Sequence, residues 1–91
     1  MSTSIRLFYP DLQKLTGNRE RINVEGSNVG ECLNDLVKRY PESHALLFDK
    51  QGRLLKQVYV YVNAEGLNKA DFAQKLLPKD ELILAVLITG G

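Results

Sequence analysis

The chain has 91 residues, of which 44% are hydrophobic and 25% are charged, and its formal net charge is +1. These values are typical of one globular domain, so we expect a single domain over residues 1–91. A charge so close to neutral gives no electrostatic reason to expect a nucleic acid or an anionic membrane as a partner. The single cysteine excludes an internal disulfide and a cysteine metal cluster. With no signal-peptide-like or bilayer-length apolar run, the sequence predicts a cytoplasmic protein.

The first 25 residues predict a β-hairpin. In residues 5–9, one set of apolar side chains alternates with Arg6 and Phe8, and in residues 19–25 Ile22 and Val24 are the inward positions, which is the pattern of half-buried strands. Between them, residues 10–18 begin with Pro-Asp and end with Gly-Asn, which are turn signals. We therefore expect two strands joined by a loop of several residues.

The strongest helix signal covers residues 29–40, where apolar side chains recur with a period of 3.6 residues. Asn28 and Glu31 have the spacing of a capping box at its start. Gly30 inside a helix costs about 1 kcal/mol relative to alanine, which suggests a close contact on that side. Cys32 falls in the apolar stripe, so we interpret it as a small core residue and not as a nucleophile.

The second half of the chain predicts two more strands. Residues 58–62 alternate valine and tyrosine, which predicts a strand with the valines on one face and the tyrosines on the other. The apolar run over residues 82–87 predicts a buried strand. Between these strands we expect a short helical piece around residues 70–73, and earlier, at residues 45–48, no more than one helical turn. His44 has no second histidine or acid motif near it, so a surface or capping role is expected.

This order of elements predicts an α+β fold, in which a mixed sheet of four to five strands carries one main helix on one face. The last strand runs almost directly into Gly90 and Gly91. A carboxylate is a poor electrophile, but attack on the α-phosphate of ATP converts it to a reactive acyl-adenylate. Glycines make the thinnest and most adaptable tip to pass through a narrow channel to a nucleotide. By composition alone, an idle tail is equally compatible with these two glycines.

The order of elements resembles the ubiquitin-like β-grasp fold and, more narrowly, the MoaD/ThiS family of prokaryotic sulfur carriers. The resemblance extends over nearly the whole chain, although only the terminal glycine pair is a chemically specific motif. The local features that carry it are the opening strand at residues 5–9, the helix start Asn28-Val29, the strand end Val62-Asn63 with the turn at residues 64–66, and the segment 79–82 leading to Thr89-Gly90-Gly91.

The resemblance implies a carrier and not an enzyme. A ubiquitin-activating-like adenylyltransferase would adenylate the carboxylate of Gly91 with ATP and magnesium, and a sulfur donor would convert it to a thiocarboxylate. A sulfur-accepting synthase would then use the sulfur for molybdopterin, thiamin or cysteine. The carrier itself would bind no cofactor or metal, and residues 88–91 would form a flexible tail. The length of the segment 52–57 is closer to the molybdopterin or cysteine-pathway type than to the thiamin type.

A partner surface can be predicted from the one-helix architecture. If one helix covers one face of the sheet, the other face is left open, and apolar side chains on it would mark an interaction site. The alternative is that the segments 44–48 and 67–77 cover that face. The predicted partner-binding residues are Phe8, Tyr59, Tyr61, Ala85 and Leu87 on the sheet and Thr89 in the tail.

Two other functions share these features. A ubiquitin-like modifier would use Gly91 to form an isopeptide bond with lysines of other proteins, after the same activation step. A plain β-grasp interaction module would leave the tail idle. A self-contained enzyme is disfavoured, because the sequence has no Ser/His/Asp, Cys/His, paired-carboxylate, phosphate-loop or zinc spacing.

Overall fold

The structure of the chain, a computed structural model, describes residues 2–63 and 71–87. The tail predicted at residues 88–91, with Thr89, Gly90 and Gly91, lies outside the described residues, and so do residues 64–70. Within the described ranges the elements are β1 (Ser2–Phe8), α1 (Pro10–Leu15), β2 (Arg21–Glu25), α2 (Val29–Arg39), α3 (Ser43–Leu47), β3 (Val58–Val62) and β4 (Glu81–Val86).

The four described strands form one mixed sheet in the order β2-β1-β4-β3. Strand β1 pairs antiparallel with β2, as expected for an opening hairpin, and parallel with β4. Strand β4 also pairs antiparallel with β3, so the last described strand lies between two partners. This arrangement confirms the predicted α+β fold with a mixed sheet of four to five strands.

Helix α2 packs against one face of this sheet. Its apolar stripe consists of Val29, Cys32, Leu33 and Leu36, each at most 1% exposed, and it joins the inward side chains of all four strands in one core. Burial of each large aliphatic side chain stabilises the fold by about 1.5–3 kcal/mol. The prediction of one main helix on one sheet face is therefore confirmed. In the described part of the chain, no helix has both the length and the apolar surface that a membrane crossing would need.

The start of α2 shows the predicted capping box, except that the return hydrogen bond of Glu31 comes from Ser27 and not from Asn28. Asn28 Oδ1 accepts a hydrogen bond from the backbone N–H of Glu31 at 2.8 Å. Glu31 Oε1 accepts in return from the backbone N–H and the hydroxyl of Ser27, at 2.8 and 2.7 Å. The close contact predicted at Gly30 is also present, because its N–H donates to the carbonyl oxygen of Phe72 at 2.8 Å and an added Cβ would lie 3.2 Å from that oxygen.

Replacing the cap is expected to destabilise the whole domain, because α2 supplies much of the core. Asn28→Ala leaves one N–H of the first helical turn without its side-chain acceptor, and we expect a loss of about 1 kcal/mol in the free energy of unfolding. Urea denaturation measures this change. Asn34→Ala is the matched control, since Asn34 is exposed in the middle of the same helix. Equal stability of the Asn28→Ala variant and the wild type would contradict the prediction.

Two local predictions are wrong. The segment 10–18 is not only a loop, because it contains α1, which begins with Pro10 at a first-turn position where a missing N–H costs nothing. The helical piece predicted around residues 70–73 is absent from its described part, residues 71–73, which form a turn. The following backbone instead pairs with the start of α2, where Val29 N–H donates to the carbonyl oxygen of Gln74 at 3.0 Å.

Candidate functional site

The sheet register brings the predicted partner-binding residues together on the face opposite α2. Ala85 of β4 is paired with Phe8 of β1 on one side and with Tyr59 of β3 on the other. The rings of Tyr59 and Tyr61 stack nearly in parallel, with centroids 6.3 Å apart. Leu87 follows two residues after Ala85 along the same strand direction. We call these five residues the open-face patch: Phe8, Tyr59, Tyr61, Ala85 and Leu87.

The open-face patch is accessible. Phe8 is 51% exposed and Leu87 is 54% exposed, which is high for large apolar side chains. The described parts of the two segments that could have covered the face lie elsewhere: Leu47 of α3 is buried in the core, and Phe72 lies against Gly30 at the start of α2. An exposed apolar cluster of this kind is typical of a surface that binds another protein. The assignment of these residues to a partner stays a prediction.

The patch lies where β4 delivers the chain end. The backbone N–H of Leu87 donates to the carbonyl oxygen of Gln57 at 2.8 Å, which extends the β3–β4 ladder one residue beyond β4. Gly91 is four residues further along the sequence. The predicted site residues Thr89, Gly90 and Gly91 themselves lie outside the described residues.

The other end of the same face is polar and internally satisfied. Arg21 Nε of β2 lies 3.1 Å from Glu81 Oε2 of β4, reaching across β1. The hydroxyl of Ser4 donates to the same carboxylate oxygen at 3.3 Å. The side-chain amide oxygen of Asn63 accepts from the backbone N–H of Glu81 at 2.9 Å. The open face is therefore apolar at the C-terminal end of β4 and polar at the N-terminal end of β4.

Arg6 stands at the border between these two ends, and it is not among the partner-binding residues predicted from the sequence. Its guanidinium carbon lies 5.4 Å from the centroid of the Phe8 ring, within the range of a cation–π interaction. The strand pattern contained the signal, because Arg6 has the same outward phase as Phe8 in β1. The selection by apolarity alone missed it.

The remaining chemically reactive side chains form no second site in the described chain. Cys32 is fully buried, and this burial raises the pKa of its thiol, so the thiolate that a nucleophile needs is disfavoured. His44 is exposed, and its ring lies 5.4 Å from that of Phe48. Among residues 2–63 and 71–87, no group of three or more His, Cys, Asp and Glu side chains is placed to hold a metal ion.

Solved structures of other proteins share this fold. SAMP1 from Haloferax volcanii matches with a TM-score of 0.83 and 28% identity over the full length of both chains. A second structure of the H. volcanii small archaeal modifier protein 1 matches with a TM-score of 0.81 and 26% identity, covering 96% of this chain and 98% of that one. The chain has the ubiquitin-like β-grasp fold, and its similarity to SAMP1 supports the resemblance to MoaD/ThiS-type sulfur carriers. The resemblance predicted from the sequence is thereby confirmed.

A further match shows the same fold at greater sequence distance. It is a chain in the Amycolatopsis orientalis BexX/CysO complex, with a TM-score of 0.79 and 22% identity, covering 98% of this chain and 99% of that one. No protein-family model matches the chain, and neither does any curated protein. In general kind, the chain is thus similar to ubiquitin-like carriers and modifiers such as SAMP1.

Proposed function

We propose that the protein is a sulfur carrier whose Gly91 carboxylate is activated by an adenylyltransferase and converted to a thiocarboxylate. The observation that carries this proposal is the position of the C-terminal end of β4. The central strand β4 brings the chain to Leu87 at the edge of the open-face patch, four residues before Gly91. The same patch can therefore hold an enzyme that works on the carboxylate.

The chemistry requires two steps from partner enzymes. A carboxylate oxygen of Gly91 attacks the α-phosphorus of ATP, pyrophosphate leaves, and an acyl-adenylate forms. A hydrosulfide-level sulfur nucleophile then attacks the carbonyl carbon, AMP leaves with the activated oxygen, and a thiocarboxylate remains. The carrier contributes position and access, while ATP and magnesium belong to the activating enzyme. The sulfur would pass to a synthase in cofactor biosynthesis, for molybdopterin or thiamin, or in cysteine biosynthesis.

Intact-mass spectrometry tests this function. The chain is incubated with an activating enzyme of the ubiquitin-activating type, ATP, magnesium and sulfide. We expect a mass gain equal to the difference between one sulfur and one oxygen atom, dependent on ATP, and located in the C-terminal peptide. Unchanged mass with the activating enzymes encoded in the same genome would overturn the proposal. Such a carrier works in the cytoplasm, where ATP and reduced sulfur are available.

A ubiquitin-like modifier is the second candidate, because two of the matching structures are of a protein named as a small archaeal modifier. In this case a lysine amine of another protein attacks the acyl-adenylate or a thioester made from it, and an isopeptide bond forms. The last Lys or Arg of the chain is Lys79, so trypsin would leave residues 80–91 on each modified lysine. Proteomic detection of lysines carrying this remnant, lost on removal of Gly91, would establish the modifier function.

A further inference from the structure

Arg6 and Phe8 form one unit on the open face. They are outward-facing neighbours on β1, and the guanidinium carbon of Arg6 lies 5.4 Å from the Phe8 ring centroid. Phe8 is half exposed and paired with Ala85 at the centre of the patch. A protein that covers Phe8 must therefore also cover the guanidinium of Arg6.

The positive charge of Arg6 is not neutralised within the described chain. Arg21, its cross-strand partner on β2, forms an ion pair with Glu81, whereas Arg6 forms none with a described residue. Glu20 lines the same cleft as Arg6 and Phe8, but its carboxylate is not within ion-pair distance of Arg6. Among the described residues of the open face, Arg6 is thus a cation without an ion-pair partner, and it lies beside the apolar patch.

Covering such a cation restricts the choice of partner. Removing a guanidinium from water without an anionic acceptor is strongly unfavourable, and the surrounding apolar patch supplies no such acceptor. A carboxylate restores the lost interaction best, because its two oxygens match the fork of N–H groups on arginine. A purely apolar partner surface would therefore bind this face poorly.

We propose that Arg6 determines which partner binds the open-face patch, by requiring an Asp or Glu side chain of the partner at the point where Phe8 is covered. This inference rests on the proposed function, since the activating enzyme is the partner that must cover the face while it holds the tail. Such a requirement gives specificity, because an otherwise complementary apolar surface that lacks the carboxylate is rejected.

Steady-state charging kinetics with the activating enzyme test the role of Arg6. For Arg6→Gln we expect the KM for the carrier to rise at least about tenfold, equivalent to about 1.4 kcal/mol, while kcat and the KM for ATP stay unchanged. Arg6→Lys keeps the charge but loses the fork, so an intermediate KM is expected. Arg39→Gln is the matched control, because it removes one arginine from α2, on the other side of the sheet.

Ionic strength provides a readout that a structural role of Arg6 would not change. The KM for the wild-type carrier should rise with salt more steeply than the KM for Arg6→Gln. Salt screens the ion pair between Arg6 and the partner carboxylate, and the variant does not form this pair. Thermal unfolding verifies that the variants are folded. If Arg6→Gln is not folded, the KM of Arg6→Lys and the salt dependence of the wild-type KM test the inference instead. A carrier KM for Arg6→Gln within about twofold of that for Arg39→Gln, a change well inside one tenfold step of affinity, overturns the inference.

Two other results have distinct meanings. A rise in the KM for ATP instead of the carrier would show that Arg6 meets a nucleotide phosphate and not a protein carboxylate, which also overturns the inference. If the wild type itself is not charged, the proposed function fails and the role of Arg6 fails with it. Normal charging of the wild type together with normal kinetics of Arg6→Gln leaves the function standing and removes only the inference.

Discussion

Removal of Gly91 is expected to abolish ATP-dependent charging of the chain while leaving its stability unchanged. The truncated protein still ends in a glycine carboxylate, at Gly90, so the charge and the chemical group are preserved. Only the reach of the tail changes, by about 3.5 Å. A misplacement of about 1 Å can already cost a hundredfold in rate when reacting atoms must be held in contact. ATP–pyrophosphate exchange and intact mass measure the loss.

The Gly91→Ala variant separates the effect of the length of the C-terminal segment from the effect of its width. It restores the length of the chain but adds a Cβ at the tip, so we expect partial charging if the channel of the enzyme excludes side chains. Thermal unfolding of both variants should match that of the wild type, because Leu87 is the last residue with a described backbone hydrogen bond to the sheet. Charging of the truncated chain at the wild-type rate would contradict the proposed function.

Ala85→Arg is expected to raise the KM of the activating enzyme for the carrier by about a hundredfold or more, corresponding to about 2.7 kcal/mol. Ala85 lies between Phe8 and Tyr59, so an arginine there places a long charged side chain over the centre of the open-face patch. Ala85 is half-buried on the face opposite α2 and is not part of the core cluster, so the core is left intact. Charging kinetics over a range of carrier concentrations measure the effect.

Asn34→Arg provides the matched control for this substitution, because it introduces the same side chain on the exposed surface of α2. It should be charged like the wild type. If Ala85→Arg proves unstable, Leu87→Asp tests the same surface from an exposed position beyond the end of β4. Wild-type KM values for both patch variants would show that the partner uses another surface.

Much of the fold could be predicted because local pattern and tertiary structure agree. The alternation in β1 placed Ile5 and Leu7 inward and Phe8 outward, and the structure buries the first two and exposes the third. The helical stripe of α2 and its Asn28 cap were equally clear. In each case one side of the element faces the core, so that burial imposes its period on the sequence.

The errors arose where tertiary contacts or single residues override the local pattern. Pro10 is part of a turn signal in the sequence, although the same residue is well suited to begin a helix. The segment 71–73 has a helical composition, but Phe72 supplies its carbonyl oxygen to Gly30 at the start of α2. Hydrogen bonds between residues so far apart in sequence leave no periodic signal.

The candidate site was only partly predictable for the same reason. The members of the open-face patch follow from strand alternation once the helix is assigned to one face. The pairing of Arg6 with Phe8 depends on side-chain conformation, and the neutralisation of Arg21 by Glu81 depends on the order of three strands. Neither fact is visible in the sequence pattern. Together they distinguish Arg6, which has no ion-pair partner in the described chain, from Arg21.

The central position of β4 has a mechanical consequence. A force applied to the chain beyond Leu87, along the axis of β4, acts on the β1–β4 and β3–β4 ladders at the same time. Many backbone hydrogen bonds must then break together. An edge strand under the same load would detach from one neighbour only. The strand order therefore makes β4 resistant to a pulling force applied along its axis beyond Leu87.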